Sequence, residues 1–495
     1  ENPPSVFSAL SFNLWSVQMP LFPSSSIQDT NAYYEDSESD DADAGQGGSL
    51  LTGGGDLNKM FADEIRRTAN LGSSQNAVIS TYMASCKQYD VVPSSSIVEQ
   101  LQDVGCSSLK CAGTQLSTLG AQCVADAVAV SRYIVTVDVS DSFLSQDGCV
   151  ALLTALSGPS SAVGELSLAG NNLGGMRQIG SDGLDVRNAN ARELPVPLFG
   201  PGMKPSKAPK RAKKDDGKEE PAPPSAEELA NEALTKRITD LHLVCLPGPM
   251  EALGIMLERN RALTNLDLSR NMLDSLFVGR FMPYLALNHF VQTLNMSRNR
   301  LDGAAGVSVA AYLTQLNLEH MDLSRNRLSQ VSALALGSQL AEAGLYSLDI
   351  SHNAIGDMGG AGVLAALAPS GAVHKSVAAA CVAAGTPLPK GGVYNQKMER
   401  LNIGYCGLGL LSALALSKVI GENETLCSLD VSGNPLGGER GMRVVAKGCQ
   451  TRVDAGMPAL TLDVRQCQMD GDTLSLLKGM VGRGIEALKT GPMEE

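Results

Sequence analysis

From residue 263 onward the chain repeats itself, and that repetition limits its fold more than any other feature. Aligning LTNLDLSRNML (263–273), VQTLNMSRNRL (291–301), EHMDLSRNRL (319–328) and LYSLDISHNAI (345–355) gives one pattern, LxxLxLxxNxL. Its central position is filled by Leu266, Leu294, Met321 and Leu348, at spacings of 28, 27 and 27 residues. The frame continues at Leu401, Leu429 and Leu462, and reads backwards to Leu241, Leu166, Val137 and Leu109, eleven units in all. A fixed period of this length means stacked supersecondary units rather than one large core. Leucines at the first, fourth and sixth positions point inward from a short strand and its bend. The asparagines Asn171, Asn271, Asn299, Asn326, Asn353 and Asn434 turn inward, where a side-chain amide can bond backbone left open by the bend. Between strands, segments such as QVSALALGSQLAEAG (330–344) and LLSALALSKVIGENE (410–424) carry apolar residues at helical spacing.

A unit of 27–29 residues has room for an α-helix in every coil. In this the chain resembles the ribonuclease-inhibitor-like class of leucine-rich repeats over roughly residues 105–485. The resemblance implies an α/β solenoid, a horseshoe with parallel strands on the concave face and helices on the convex face. Strands about 4.8 Å apart would give an inner arc on the order of 50 Å.

Two spacings break the frame. Leu166 to Leu241 is 75 residues, which places an insertion at about 177–224. Residues 195–224 hold eight prolines and the basic run KPSKAPKRAKKDDGK (204–218), a composition that cannot build a core and reads as a disordered loop. Order is expected to resume at Ser225, where Glu228 completes a capping box. Leu348 to Leu401 is 53 residues, room for two units or one with an insertion; the sequence favours a degenerate helical unit around 372–384. The solenoid therefore runs over 105–495, behind a helical N-terminal cap at 57–104 and a disordered acidic and aromatic tail at 1–56. The segment YMASCKQYDVVP (82–93), with the helix after it, is similar to the caps of leucine-rich-repeat proteins from ciliated and flagellated cells.

The net charge of −13 is uneven: residues 1–64 hold eleven acids against Lys59 alone. The solenoid is thus nearly neutral, which disfavours nucleic acid as a partner. Eleven scattered cysteines, with Cys406 and Cys467 at the asparagine position, suggest packed free thiols in a reducing, cytoplasmic compartment. No apolar run approaches the length of a membrane span, and Pro20 and Pro23 interrupt the N-terminal apolar stretch, so neither a membrane anchor nor a secretory signal is expected; a segment removed upstream of Glu1 stays open.

Candidate binding residues follow from the strand pattern. Asp267, Asp322 and Asp349 stand just after the central leucine, where the bland reading is support of the turn. Arg270, Arg298 and Arg325, then His352 and Tyr405, occupy the bend on successive coils. Three stacked arginines repel one another unless an anionic partner or the aspartate row offsets them, and Arg300 and Arg327 enlarge the patch. In the tail, Phe12, Trp15 and Phe22 lie ahead of the acidic YEDSESDDADA (34–44) and read either as a docking peptide or as a segment that folds back. Ser37 and Ser39 lie in an acidic context that phosphorylation could use, and the run at 204–218 could meet an acidic surface, though its own acids favour a solvated loop. The histidines lack metal-ligand spacing, and Cys106 and Cys111 form a lone pair, so no catalytic residue, metal or cofactor is expected.

The function expected is a non-catalytic scaffold that binds proteins through its concave face and tail within a larger cytoplasmic or cytoskeletal assembly, with a ciliary or flagellar one suggested by the cap. The alternative is a regulator in trans: Ran GTPase-activating proteins resemble the chain in repeat type and length. Their acidic tail is C-terminal, however, whereas this chain ends KTGPMEE, so no residue carries over.

Overall fold

A pattern of inward leucines needs neighbouring coils to close its core, and the molecule supplies them by stacking. The computed structural model describes residues 73–103, 107–158, 161–174, 248–370, 373–388 and 393–491. Outside them lie the tail with Phe12, Trp15 and Phe22, the basic run at 204–218, Leu241, the helix start at Ser225 and Cys106.

Among the described residues, eleven strands form one all-parallel sheet in chain order. They are β1 (Ser108–Lys110), β2 (Thr136–Asp138), β3 (Glu165–Ser167), β4 (Asn265–Asp267), β5 (Thr293–Asn295), β6 (His320–Asp322), β7 (Ser347–Asp349), β8 (Arg400–Asn402), β9 (Ser428–Asp430), β10 (Leu460–Asp463) and β11 (Ile485–Lys489). The central leucine positions stand in register, Leu266 beside Leu294, Leu294 beside Met321, and Leu348 beside Leu401.

Two expectations are corrected by this register. Leu166 pairs directly with Leu266, so the unit read at Leu241 contributes no strand between β3 and β4. The eleventh strand is β11, whose Leu488 pairs with Leu462. Leu348 pairs with Leu401, so the described residues within 356–397 include a helix where one was expected at 372–384 but add no strand: this is one unit with an insertion, not an extra repeat.

Each strand returns through a helix. After the N-terminal pair α1 (Ser73–Gln88) and α2 (Ser95–Gln102) come α3 (Thr118–Val130), α4 (Gln146–Leu156), α5 (Pro249–Arg259), α6 (Ser275–Leu287), α7 (Gly303–Tyr312), α8 (Gln330–Leu340), α9 (Gly356–Ala365), the inserted α10 (Lys375–Ala384), α11 (Leu410–Glu422), α12 (Glu439–Asp454) and α13 (Gly471–Gly479). Side chains that accept the first free N–H groups start several of them: Ser117 for α3, Ser145 for α4, Asp274 for α6, Asp302 for α7 and Asp470 for α13. Helix α10 lies over α8 and α9, where Val377 and Cys381 are buried with Leu334 and Ala361.

Two ladders of side-chain amides lock the corners of the coils. At the first, Asn299 donates to the carbonyls of Leu268, Met296 and Ser297 at 3.0, 2.9 and 3.2 Å and accepts from the N–H of Asn271 and Leu273 at 2.8 and 3.0 Å. Asn171, Asn271, Asn326, Asn353 and Asn434 do the same on their own coils. Ser142, Cys406 and Cys467 take the position elsewhere, each donating to the carbonyl of the preceding coil. The second ladder, ahead of the strands, is Asn260, Asn288, Asn395 and Asn423, three of them helix C-caps. It ends in Arg452, fully buried and, among the described residues, without a carboxylate partner. Its guanidinium donates instead to the carbonyls of Pro458, Ile420, Asn423 and Leu426 at 2.7, 3.0, 2.7 and 3.2 Å. These bonds answer the backbone groups that a buried bend would otherwise leave open.

The β1 edge is closed by a side chain. The Gln100 amide of α2 accepts from Lys110 N–H at 2.7 Å and donates to the Lys110 carbonyl at 2.9 Å, standing in for one more strand.

Candidate functional site

The aspartate row is built into the bends. One side-chain oxygen of Asp267, Asp322 and Asp349 accepts the N–H two residues on, from Ser269, Ser324 and Ser351, at 2.8, 2.8 and 2.9 Å. Asn295, Asn402 and Asp430 repeat the contact. The second oxygen of Asp349 receives the Asn402 amide at 2.8 Å. Burial pushes the Asp349 carboxyl above the usual carboxylate range, with the Asp322 charge adding to the effect.

Three residues beyond that row runs a column in the left-handed conformation. Arg270, Arg298, Arg325, His352 and Tyr405 have φ of 57°, 55°, 54°, 54° and 54°, as do Asp141 and Gln466 at 50° and 58°; Gly113, Gly170 and Gly433 share the position. The cause is the interlock between coils: the N–H of Arg270, Arg298, Arg325, His352 and Tyr405 donates to the carbonyl of Ser297, Ser324, Ser351, Gly404 and Ser432, at 2.8–3.0 Å. Holding an L-residue in that conformation costs roughly 1–2 kcal/mol, a strain glycine avoids. On the coils that do not place glycine there, the column therefore presents one side chain each along the rim where strands lead into helix N-termini.

Its members are used differently. Arg270 pairs with Asp141 at 2.8 Å. The contact passes over Gly170, where an added Cβ would lie 2.0 Å from an Asp141 carboxylate oxygen. His352 and Tyr405 stack with ring centroids 4.4 Å apart and planes 6° from parallel. The Tyr405 hydroxyl donates to the Gln466 side-chain amide oxygen Oε1 at 2.8 Å, its ring crossing Gly433, where a Cβ would come within 2.4 Å. Burial and then the Arg325 charge lower the His352 pKa, against the opposing pull of Asp349 and Asp430, which keeps the ring neutral at pH 7. Arg298 and Arg325 are exposed and, among the described residues, make no ion pair or side-chain hydrogen bond. Asp141, Gly170, Gly433 and Gln466 were not singled out from the sequence, although each stands one residue before the asparagine position of its coil.

Burial pushes the Cys111, Cys149, Cys406 and Cys449 thiols up to about 12, which leaves them protonated packing groups rather than nucleophiles. No group of His, Cys, Asp and Glu side chains able to hold a metal occurs among the described residues, and no helix among them is long and apolar enough to cross a membrane.

A leucine-rich-repeat family model matches residues 345–363. No curated protein sequence matches the chain. Among solved structures, an internalin (inlF) from Listeria monocytogenes is similar at 13% identity, over 86% of this chain and 99% of that one, with a TM-score of 0.33. The leucine-rich-repeat-containing protein LegL7 from Legionella pneumophila is similar at 18% identity over 49% of this chain and 78% of its own, with a TM-score of 0.25. A complex of TLR13 with ssRNA13 is similar at 13% identity over 49% of this chain and 30% of that one, with a TM-score of 0.27. By its own geometry, with one parallel strand and a returning helix in each interlocked coil, the chain folds as an α/β leucine-rich-repeat solenoid.

Proposed function

We propose that the chain is a non-catalytic, protein-binding scaffold, a subunit of a larger cytoplasmic or cytoskeletal assembly, with a ciliary or flagellar assembly as the setting its N-terminal cap suggests. A helix in every coil supports the ribonuclease-inhibitor type of repeat. The partner surface is the concave strand face and its rim: Arg270, Arg298, Arg325, His352 and Tyr405, with the outward oxygens of Asp267, Asp322 and Asp349 beside them. Phe12, Trp15 and Phe22 are a second docking element.

One observation carries this reading. Glycine fits the left-handed column without strain, as Gly113, Gly170 and Gly433 show, yet Arg298 and Arg325 hold side chains there that bond nothing within the described residues. A side chain kept against backbone strain and like-charge repulsion is explained by contact with another molecule.

The test is affinity capture from gently lysed cells. The intact chain is compared with an Arg270→Glu, Arg298→Glu, Arg325→Glu variant whose circular dichroism is unchanged. Loss of a defined set of partners places binding on the rim. Retention of the whole set assigns the column to structure and moves the search to the tail.

A further inference from the structure

Four arginines meet on two adjacent coils of the rim. Arg298 and Arg300 follow β5, Arg325 and Arg327 follow β6, and all four are exposed. The two strands are paired neighbours, so the coils stack about 4.8 Å apart. None of the four guanidinium groups has an ion pair or side-chain hydrogen bond among the described residues. Of the acids nearest them in sequence, one Asp302 oxygen accepts from Ala304 and Ala305 N–H, each at 3.0 Å, and one Asp322 oxygen accepts from Ser324 N–H at 2.8 Å. Where β4 and β6 carry Asp267 and Asp322, β5 carries the neutral Asn295. Helices α7 and α8 begin at this rim, and their N-terminal ends add positive potential.

The basic patch is short at both ends. Toward the N-terminus Arg270 is neutralised by Asp141. Toward the C-terminus the column passes to the stacked His352 and Tyr405, with Ala354 and Gly407 in place of the outer arginines. A nucleic-acid duplex carries a phosphate on each strand about every 3.4 Å of its axis, turn after turn, and calls for a continuous basic stripe. Here the stripe stops after two coils, and the aspartate row lies beside it. A short segment with a few carboxylates fits better. In an extended chain, alternate side chains on one face come about 6.6 Å apart, a spacing that long arginine stems on coils about 4.8 Å apart can meet, each carboxylate taking paired N–H donors.

We propose that Arg298, Arg300, Arg325 and Arg327 form the seat for a short, extended, carboxylate-rich segment of a partner protein. This inference rests on the reading of the solenoid as a protein-binding scaffold and names the chemistry of its partner.

The experiment uses the full chain and a short fluorescein-labelled peptide alternating glutamate and serine, followed by fluorescence anisotropy. Saturable binding that weakens as salt is raised is expected, with no binding of the glutamine counterpart. Arg298→Gln with Arg325→Gln, and separately Arg300→Gln with Arg327→Gln, are each expected to weaken binding roughly tenfold or more. Arg440→Gln with Arg483→Gln, exposed arginines outside the coils of β5 and β6, leaves it unchanged. The proposal is overturned if the peptide does not bind, if both rim pairs can be replaced without loss while the fold is intact by circular dichroism, or if an RNA oligomer of equal length binds more tightly than the peptide. Affinity capture with the four-arginine variant separates the two readings. Partners lost while the peptide fails to bind would overturn the carboxylate seat and leave the scaffold standing. Partners retained would overturn the seat and move the scaffold's binding surface to the tail.

Discussion

Within the rim column, each residue shows a different settlement between backbone and side chain. Arg270 is held left-handed but gains an ion pair with Asp141, whereas Arg325 is held the same way and gains none. Replacing Arg325 by glycine should therefore relieve strain and charge repulsion, with some of the gain offset by the greater freedom of glycine in the unfolded chain. Stability is expected to rise by up to about 1 kcal/mol, read by denaturant unfolding. Arg270→Gly loses a half-exposed ion pair of about 0.5 kcal/mol and should gain less. If Arg325→Gly were the less stable of the two, Arg325 would have a structural role after all.

At the scale of elements, helix spacing is set by small residues. Gly337 of α8 faces the α9 backbone so closely that an added Cβ would lie 2.5 Å from the Gly362 carbonyl oxygen. Gly279, in the interior of α6, has nothing within 4 Å of the same position. Gly337→Ala must push the helices apart and should destabilise by about 1–3 kcal/mol. Gly279→Ala removes only the entropic penalty of glycine and should stabilise by about 0.5–1 kcal/mol. Thermal unfolding of the two single variants checks the signs, and equal effects would dismiss the close approach of α8 and α9. That approach also shapes the seat of α10. Its segment could be read as helical from composition, but an inserted helix and a degenerate repeat share the same apolar spacing, and only the pairing of Leu348 with Leu401 decides between them.

Across the whole molecule, stability passes from coil to neighbouring coil, so a break in the middle of a ladder should be felt on both sides. Asn299→Ala strips the bend of its donors and acceptor and leaves backbone groups of its own coil and the preceding one unpaired. The expected loss is about 2–4 kcal/mol, with faster amide exchange in the coils of both β4 and β5. Exchange changes confined to residue 299 and its immediate neighbours would contradict the ladder as the tie between coils. The sequence by itself determined the coil: inward leucines, the asparagine at most bends and the helical return are local demands, repeated often enough to be read without coordinates. It also marked Arg298 and Arg325, because a stacked row of one charge is visible in an alignment of repeats. What only the tertiary structure decided is how residues distant in sequence meet. Leu166 beside Leu266 closes the sheet across the long insertion, the Gln100 amide covers an open strand edge, and Arg452 finishes a ladder otherwise made of asparagines. Likewise, only in three dimensions does Gly170 let Asp141 reach Arg270, so that some arginines of one sequence pattern are paired and others are not. The physical reason is one of range: periodicity records what each coil needs from its own residues, whereas pairing depends on which coils become neighbours.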